Sequence, residues 1–215
     1  MHMGARPNPE RSIQQYRRLA PVYDVMARAG MRYRRRAVEL LDPRRGDIVV
    51  DVACGTGINF QPIIESIGRE GRLFGIDLSP DMLDRARDRV IAGGWDNVEL
   101  VNAPVERAAL PVPADAALFS LTHDVMRSPA ALKAVMDGLG PNGRVAAVGA
   151  KWAPQWALPV NLAIRVVSTR FVTTFEGYDR PWSHLQILVP NLQISPALLG
   201  AFYLAWGNKG SGARP

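Results

Sequence analysis

The segment Val50-Asp51-Val52-Ala53-Cys54-Gly55-Thr56-Gly57 constrains this chain more than any other. It completes a short run rich in Val and Ile, Asp47 to Ala53, bounded by Gly46 and by Gly55 and Gly57, the pattern of a fully buried parallel strand. The strand ends in an acid and a two-glycine turn that opens a helix, and glycines there let a ligand approach the backbone closely. Three nucleotide sites share that outline. A Walker loop requires Gly-Lys-Ser/Thr, which is absent, and a dinucleotide fingerprint requires a third Gly where this chain has Phe60. The third reading is a nucleoside without a diphosphate. Asp77 lies 20 residues beyond Gly57 at the end of the next strand, where an acid can accept hydrogen bonds from both hydroxyls of a ribose.

The rest of the pattern alternates. A helix is expected from Asn59 to about Ile67, a strand over Leu73 to Leu78, and a helix running to Ile91 with Ser79 as its cap and Pro80 in its first turn. Strands follow at Val98 to Val101 and Ala116 to Leu121, then a helix over Pro129 to Leu139 and a strand over Gly143 to Ala150. Strands alternating with helices of this length imply an α/β fold, a doubly wound, Rossmann-like parallel sheet with helices on both faces. The uncharged stretch Leu185 to Asn208 is broken by Pro190, Asn191, Gln193, Ser195 and Pro196, too interrupted for the ~20 apolar residues of a membrane span. It reads as two buried strands joined by a turn, Leu192 to Ile194 and Ala201 to Trp206, closing the sheet as a C-terminal antiparallel hairpin. Trp152 to Ile164, also uncharged, reads as the start of a buried or interface-lying helix. Residues 11–41 suggest two helices: Ile13, Tyr16 and Leu19 share a face, Pro21 opens the second, and Val38, Leu40 and Leu41 close it.

With these motifs in this order, the chain resembles the class I S-adenosylmethionine-dependent methyltransferases over roughly residues 45–150, on DVACGTG in strand one and GIDLSPDML in strand two. The stretch Tyr16-Arg17-Arg18-Leu19-Ala20-Pro21-Val22-Tyr23-Asp24 is similar to the entry segment of quinone and phospholipid methyltransferases within that class. The resemblance implies S-adenosylmethionine as cofactor, leaving as S-adenosylhomocysteine. It implies that Asp51, Gly55 and Gly57 line the pocket for the methionyl part, with Asp51 on the ammonium, and that Asp77 holds the ribose. Leu78 and Met82 then flank the adenine, Asn102 and Ala103 meet its edge, and Ser120 at the exit of strand four offers backbone to the methionyl end. Many relatives carry Asp where this chain has Asn102. Tyr16 and Tyr23 would belong to a lid over the cofactor. The expected organisation is a tail over 1–10, an N-terminal helical lid over 11–41, the cofactor-binding domain over 42–208 and a tail over 209–215.

Little is asked of the protein once a sulfonium methyl donor is bound, because holding the acceptor in line supplies much of the rate. A hydroxyl acceptor also benefits from a base. His123, just after strand four where the transferring methyl should lie, is the catalytic candidate; the alternative is that it shapes the pocket or orients the loop through Asp124. Tyr178, Trp152, Trp182 and His184 fall in segments expected to cover the substrate side, where aromatic walls suit an apolar or cationic acceptor. Asp124 stands alone after strand four, so no metal site is expected.

Charge bears on partners. Residues 1–45 hold 11 Arg against four acids, whereas the remaining 170 residues hold 15 basic and 16 acidic groups. The positive field therefore belongs to the front of the chain, unlike the groove of a nucleic-acid enzyme. No Asn-Pro-Pro-Tyr type motif follows strand four, so a nucleic acid is not an expected partner. The acceptor classes left open are a soluble small molecule and a lipid-like amine or quinone, O- or N-methylated, the latter with peripheral membrane contact through the Arg-rich helix around Met31 to Arg36. A methyltransferase fold that binds the cofactor but catalyses a non-methylating reaction, or serves as a binding module, is the alternative. The single Cys54 and an N-terminus without an apolar stretch fit a cytoplasmic protein rather than a secreted one.

Overall fold

A computed structural model describes residues 30–110, 113–169 and 171–210. Helix α1 (Met31–Leu41) leads into β1 (Ile48–Val52), α2 (Phe60–Ile67), β2 (Arg72–Asp77), α3 (Pro80–Gly93) and β3 (Val98–Asn102). Then come β4 (Ala114–Ser120), the short α4 (His123–Met126), α5 (Pro129–Gly138) and β5 (Leu139–Ala150), followed by α6 (Leu158–Ser168), α7 (Ser183–Leu188), β6 (Gln193–Ala197) and β7 (Phe202–Asn208). The seven strands form one sheet in the order β3-β2-β1-β4-β5-β7-β6. β1 to β5 run parallel, and β7 pairs antiparallel with both β5 and β6. The expected doubly wound sheet and C-terminal antiparallel hairpin are both present.

Local chemistry explains the helix starts. Ser79 Oγ accepts from the Met82 amide with Pro80 in the first turn of α3, and Ser128 Oγ accepts from the Ala131 amide ahead of Pro129 in α5, so each cap satisfies an amide that the helix itself leaves unpaired. Burial on both faces follows from the strand period of two. Val50 and Val52 face one core with Ala117, Phe119, Leu132 and Val135, while Val49 faces the other with Ala37, Val38, Leu41, Ile63 and Leu118.

Two boundaries shift. The first strand of the hairpin runs from Gln193 to Ala197, with Leu185 to Leu188 ahead of it in α7. The helix read near Trp152 to Ile164 starts at Leu158, and of its two alternatives the buried one does not hold, since Leu158, Leu162 and Val166 are exposed. The described part of the expected lid, α1, lies flat on the sheet against β4, β5 and β7. Tyr16, Tyr23 and the helix expected over Ile13 to Leu19 lie outside the described residues.

Candidate functional site

β1 and β4 lie side by side at the middle of the sheet, Asp51 opposite Leu118. The residues just past their carboxyl ends, Ala53 and Leu121, are both left-handed, with φ of 53° and 60°. Such conformations are costly for residues with a Cβ and concentrate where a backbone is held for a purpose. Gly55 and Gly57 continue the turn at φ of 57° and 71°. A Cβ on Gly57 would lie 2.5 Å from the Phe60 ring, so the position admits only glycine.

Asp77 closes this turn onto the end of β2. Its Oδ2 accepts from the Gly55 amide and its Oδ1 from the Ser79 amide, both at 2.8 Å. Burial raises its pKa above the usual carboxylate range, and these amides oppose the rise. Two amides fix the carboxylate, and each oxygen retains a lone pair for a further donor. Asn102, at the end of β3, donates to the carbonyls of Asp77 and Leu78 at 3.0 and 3.1 Å, and the Ala103 amide also bonds the Asp77 carbonyl. Leu78 is half-buried, and Met82 is 1% exposed.

Asp51 is fully buried on the α1 side of the sheet, and desolvation pushes its pKa to about 7 against the opposing pull of Asn59 and Arg34. Asn59 Nδ2 donates to Asp51 Oδ2 at 3.1 Å, while Asn59 Oδ1 is buried without a hydrogen-bond partner. Arg34, 3% exposed, donates from Nη1 to Ser120 Oγ at 2.8 Å. A buried carboxylate, a buried guanidinium and two short polar side chains thus meet at the carboxyl ends of β1 and β4. Cys54 in the same turn is buried, with its thiol pKa raised well above normal by burial and by Asp77 and Asp51, which keeps it an unreactive thiol.

The next layer is aromatic. His123 opens α4, and its ring lies 4.8 Å from that of Tyr178. Trp152, just past β5, lies 5.1 Å from Tyr178 and 5.4 Å from Phe175. The loop carrying Phe175 and Tyr178 is pinned by Asp124, which accepts from the Thr173 amide and hydroxyl, and by Ser168 Oγ, 2.7 Å from the Tyr178 hydroxyl. Both His123 ring nitrogens and Thr122 Oγ1 are buried without a hydrogen-bond partner of good geometry, although the backbone at Thr174 and Glu176 acts on the ring electrostatically. Desolvation, with Arg127 adding repulsion, lowers the His123 pKa to about 4, so the imidazole is neutral near pH 7. Orphaned buried polar atoms at one place are what a ligand site leaves in a ligand-free protein.

The expected residues therefore fall into two adjoining groups: Asp51, Gly55, Gly57, Asp77, Asn102, Ala103 and Ser120 around the ends of β1 to β4, and His123 with Trp152 and Tyr178 beyond β4 and β5. Trp182 packs instead against Tyr203 in the core, 5.0 Å between rings, and His184 is on α7 outside the aromatic group. Asp124 accepts from the amide and hydroxyl of Thr173, in the loop that carries Phe175 and Tyr178. Arg34 and Asn59 were missed by sequence reasoning. The signal for Arg34 was available: with Ala37, Val38 and Leu41 it completes the i, i+3, i+4, i+7 stripe that α1 turns inward. Among the described residues no cluster of three or more His, Cys, Asp or Glu could hold a metal ion. A cleft of about 250 Å³ lined by Arg44, Asp47, Asp115 and Arg144 opens at the amino ends of the strands, away from this chemistry.

Fold and site together define a Rossmann-like enzyme whose nucleoside pocket fits a cofactor bearing a ribose and an ammonium group, as S-adenosylmethionine does. Residues 49–143 match the methyltransferase domain family. The chain is 28% identical over 185 residues to the demethylmenaquinone methyltransferase of Listeria monocytogenes, covering 80% of this chain and 76% of that enzyme. It is 34% identical over 77 residues to the aklanonic acid methyltransferase of a Streptomyces species, a match spanning 36% of this chain and 35% of that enzyme. In structure it superposes on the geranyl diphosphate C-methyltransferase of Streptomyces coelicolor, solved with magnesium, a substrate analogue and S-adenosylhomocysteine, with a TM-score of 0.64 and 16% identity over 83% of this chain and 76% of that one. Residues 49–143 thus carry a methyltransferase domain, and the chain is similar to the S-adenosylmethionine-dependent methyltransferases, the quinone methyltransferases among them.

Proposed function

We propose that this enzyme transfers a methyl group from S-adenosylmethionine to a hydroxyl-bearing, aromatic and lipid-like small molecule. The observation that carries this reading is the buried, neutral imidazole of His123 set against the aromatic surface of Tyr178, Trp152 and Phe175. A flat ring is a good partner for such a wall, and relatives named for a menaquinone precursor and a polyketide acid support an acceptor of that kind.

The bound cofactor supplies an electrophilic methyl on a sulfonium. Asp51 takes its ammonium, with Asn59 Oδ1 as a second acceptor, and Arg34 takes its carboxylate while holding Ser120 in place. Asp77 receives the ribose hydroxyls on the lone pairs that Gly55 and Ser79 leave. Leu78 and Met82 border the adenine, and Asn102 and Ala103 hold the loop at its edge. Gly55 and Gly57 let the backbone approach without a Cβ in the way. The acceptor hydroxyl would donate to the neutral His123, which would take its proton as the oxygen–methyl bond forms and the methyl–sulfur bond breaks, leaving the thioether of S-adenosylhomocysteine. Trp152 and Phe175 exclude water and fix the plane of the acceptor. Residues 42–208 form the cofactor-binding unit.

Incubation with S-adenosylmethionine and a panel of demethylated quinols and phenolic polyketides, read by mass spectrometry, tests the proposal. The expected result is an acceptor gaining one methyl with stoichiometric S-adenosylhomocysteine. Cofactor binding with no acceptor gaining a methyl would favour a binding module instead.

A further inference from the structure

Helix α6 carries apolar side chains on both its inner and its outer side, with Asn161, Arg165 and Ser168 as its only polar positions. Its inner face, with Ala157, Val160 and Ile164, packs on Ala153, Ala201 and Phe202. Its outer face presents Leu158, Leu162 and Val166 at a spacing of one turn, 70%, 65% and 53% exposed, with Val167 beside them. Trp156 ahead of the helix and Leu198 and Leu199 at the tip between β6 and β7 are exposed as well. Pro154 lies against Gly200, close enough that a Cβ there would come within 2.8 Å of it, so the tip and the approach to α6 form one surface.

The charged groups at its edge are mainly basic. Arg165 is exposed on α6 itself, while Lys151 donates to the Trp152 and Gly200 carbonyls and has Asp179 as its neighbouring acid. The ring of Phe202, against which α6 packs, also stacks on Tyr33 of α1 at 5.2 Å. Arg32 lies over the same Tyr33 ring and donates to its hydroxyl, which holds this exposed arginine at the edge of the apolar face, with Arg35 exposed one turn further along α1. Arg34 and Arg36 are turned elsewhere, the first to Ser120 inside the protein and the second to Glu39. An apolar face with an interfacial Trp and a rim of Arg is complementary to an anionic bilayer. A second copy would set like charges against each other.

We propose that the outer face of α6, with Trp156 and the Leu198–Leu199 tip, docks on an anionic lipid bilayer, with Arg32, Arg35 and Arg165 meeting the headgroups. This deepens the reading of a lipid-like acceptor and rests on it for its purpose. Ser168, the last residue of α6, bonds the Tyr178 hydroxyl that lies beside His123, so a single helix joins the docking face to the acceptor site. An apolar acceptor passes from bilayer to site without crossing water. The basic contribution of α1 thereby narrows from the whole Met31 to Arg36 run to its two outward arginines at this edge.

The test is co-sedimentation of the full chain with vesicles of phosphatidylcholine alone and of phosphatidylcholine with phosphatidylglycerol, at low and high salt. The variants are Leu158→Gln with Leu162→Gln, Arg32→Gln with Arg35→Gln, and Ile187→Gln, whose side chain is exposed on α7. The parent should bind the anionic vesicles and be weakened by salt. The leucine pair should reduce partitioning about tenfold or more, the arginine pair should flatten the salt dependence, and Ile187→Gln should bind as the parent does. Calorimetric binding of S-adenosylmethionine, unchanged in all three, shows that they are folded. No vesicle binding by the parent, parent-like binding by the leucine pair, or a parent dimer that the leucine pair converts to monomer would each overturn the proposal. Methyl transfer to a water-soluble, short-chain acceptor is read separately. Transfer without vesicle binding removes the docking and leaves the function, whereas vesicle binding without transfer to any acceptor does the reverse.

Discussion

The guanidinium of Arg34 donates to Ser120 Oγ at 2.8 Å across 86 residues of sequence, joining the first described helix to the end of the fourth strand directly beside the buried carboxylate of Asp51. Arg34 is one of three consecutive arginines, yet it alone is buried, and its charge is among the influences holding down the pKa of Asp51. A cation enclosed at that point has a structural and a binding task together. Arg34→Met is expected to destabilise the protein by on the order of 3 kcal/mol, as removal of one member of a buried charge group does, and to weaken S-adenosylmethionine binding about tenfold or more. Arg35→Gln, exposed on the same helix, should leave both unchanged. Thermal unfolding and calorimetric titration of the two variants compare these outcomes directly.

Asp51 gives a pH dependence with a definite sign. Burial pushes its pKa up to about 7, well above that of an ordinary carboxylate, so the folded state holds the proton more tightly than the unfolded one. Stability from this group therefore declines as pH rises from about 4 to about 7 and is constant above that. An ammonium ligand requires the ionised form, so cofactor affinity should fall as pH drops below about 7, approaching tenfold per unit, with a proton released on binding near pH 6. Titrations in buffers of different ionisation enthalpy read that proton. Affinity independent of pH between 5 and 8 would contradict the assignment.

His123 predicts a different dependence. Burial lowers its pKa to about 4, so the neutral ring that accepts a proton is present across the range in which Asp51 titrates. On lowering the pH from 8 to 5, KM for the cofactor should rise while kcat stays level with respect to this group. His123→Ala should lower kcat by about 10²–10⁴-fold and leave the dissociation constant for S-adenosylmethionine unchanged. A variant with parent-like kcat would reduce His123 to a wall of the pocket.

How much of this was legible in the sequence depends on how local the determinants are. The turn from β1 into α2 is fixed by its own residues, and Asp77 by its distance from them, so DVACGTG and GIDLSPDML suffice to bring Asp51, the turn glycines and Asp77 to neighbouring strand ends. Arg34 falls in the Arg-rich run around Met31 to Arg36 read as a membrane contact, because composition says nothing of helix phase; the stripe shared with Ala37, Val38 and Leu41 does. The inward turn of Asn59 toward Asp51 depends on how α2 packs against β1, which is a tertiary fact. Whether the helix near Trp152 to Ile164 is buried or interface-lying stayed open in the sequence, because an uncharged stretch gives no sign of which side the fold leaves exposed.

Two glycines with left-handed backbone separate ligand geometry from ordinary turn strain. Gly57 and Gly94 have φ of 71° and 62°, but a Cβ on Gly57 meets the Phe60 ring whereas one on Gly94 meets nothing within 4 Å. Gly94→Ala should cost about 1 kcal/mol of stability and bind S-adenosylmethionine normally. Gly57→Ala should cost more and lose the cofactor, since either the turn or the ring has to move. Equal effects of the two on binding, by the same titration, would show that the turn after β1 is not the binding surface.

The central claim is that the ends of β1 and β2 hold S-adenosylmethionine through Asp51 and Asp77. Calorimetric titration of the parent and of Asp77→Ala with S-adenosylmethionine and S-adenosylhomocysteine tests it most directly. Saturable binding of both ligands to the parent, lost in a variant that still melts cooperatively, is the result predicted. A folded parent that binds neither, or an Asp77→Ala variant that binds both as tightly as the parent, would contradict it.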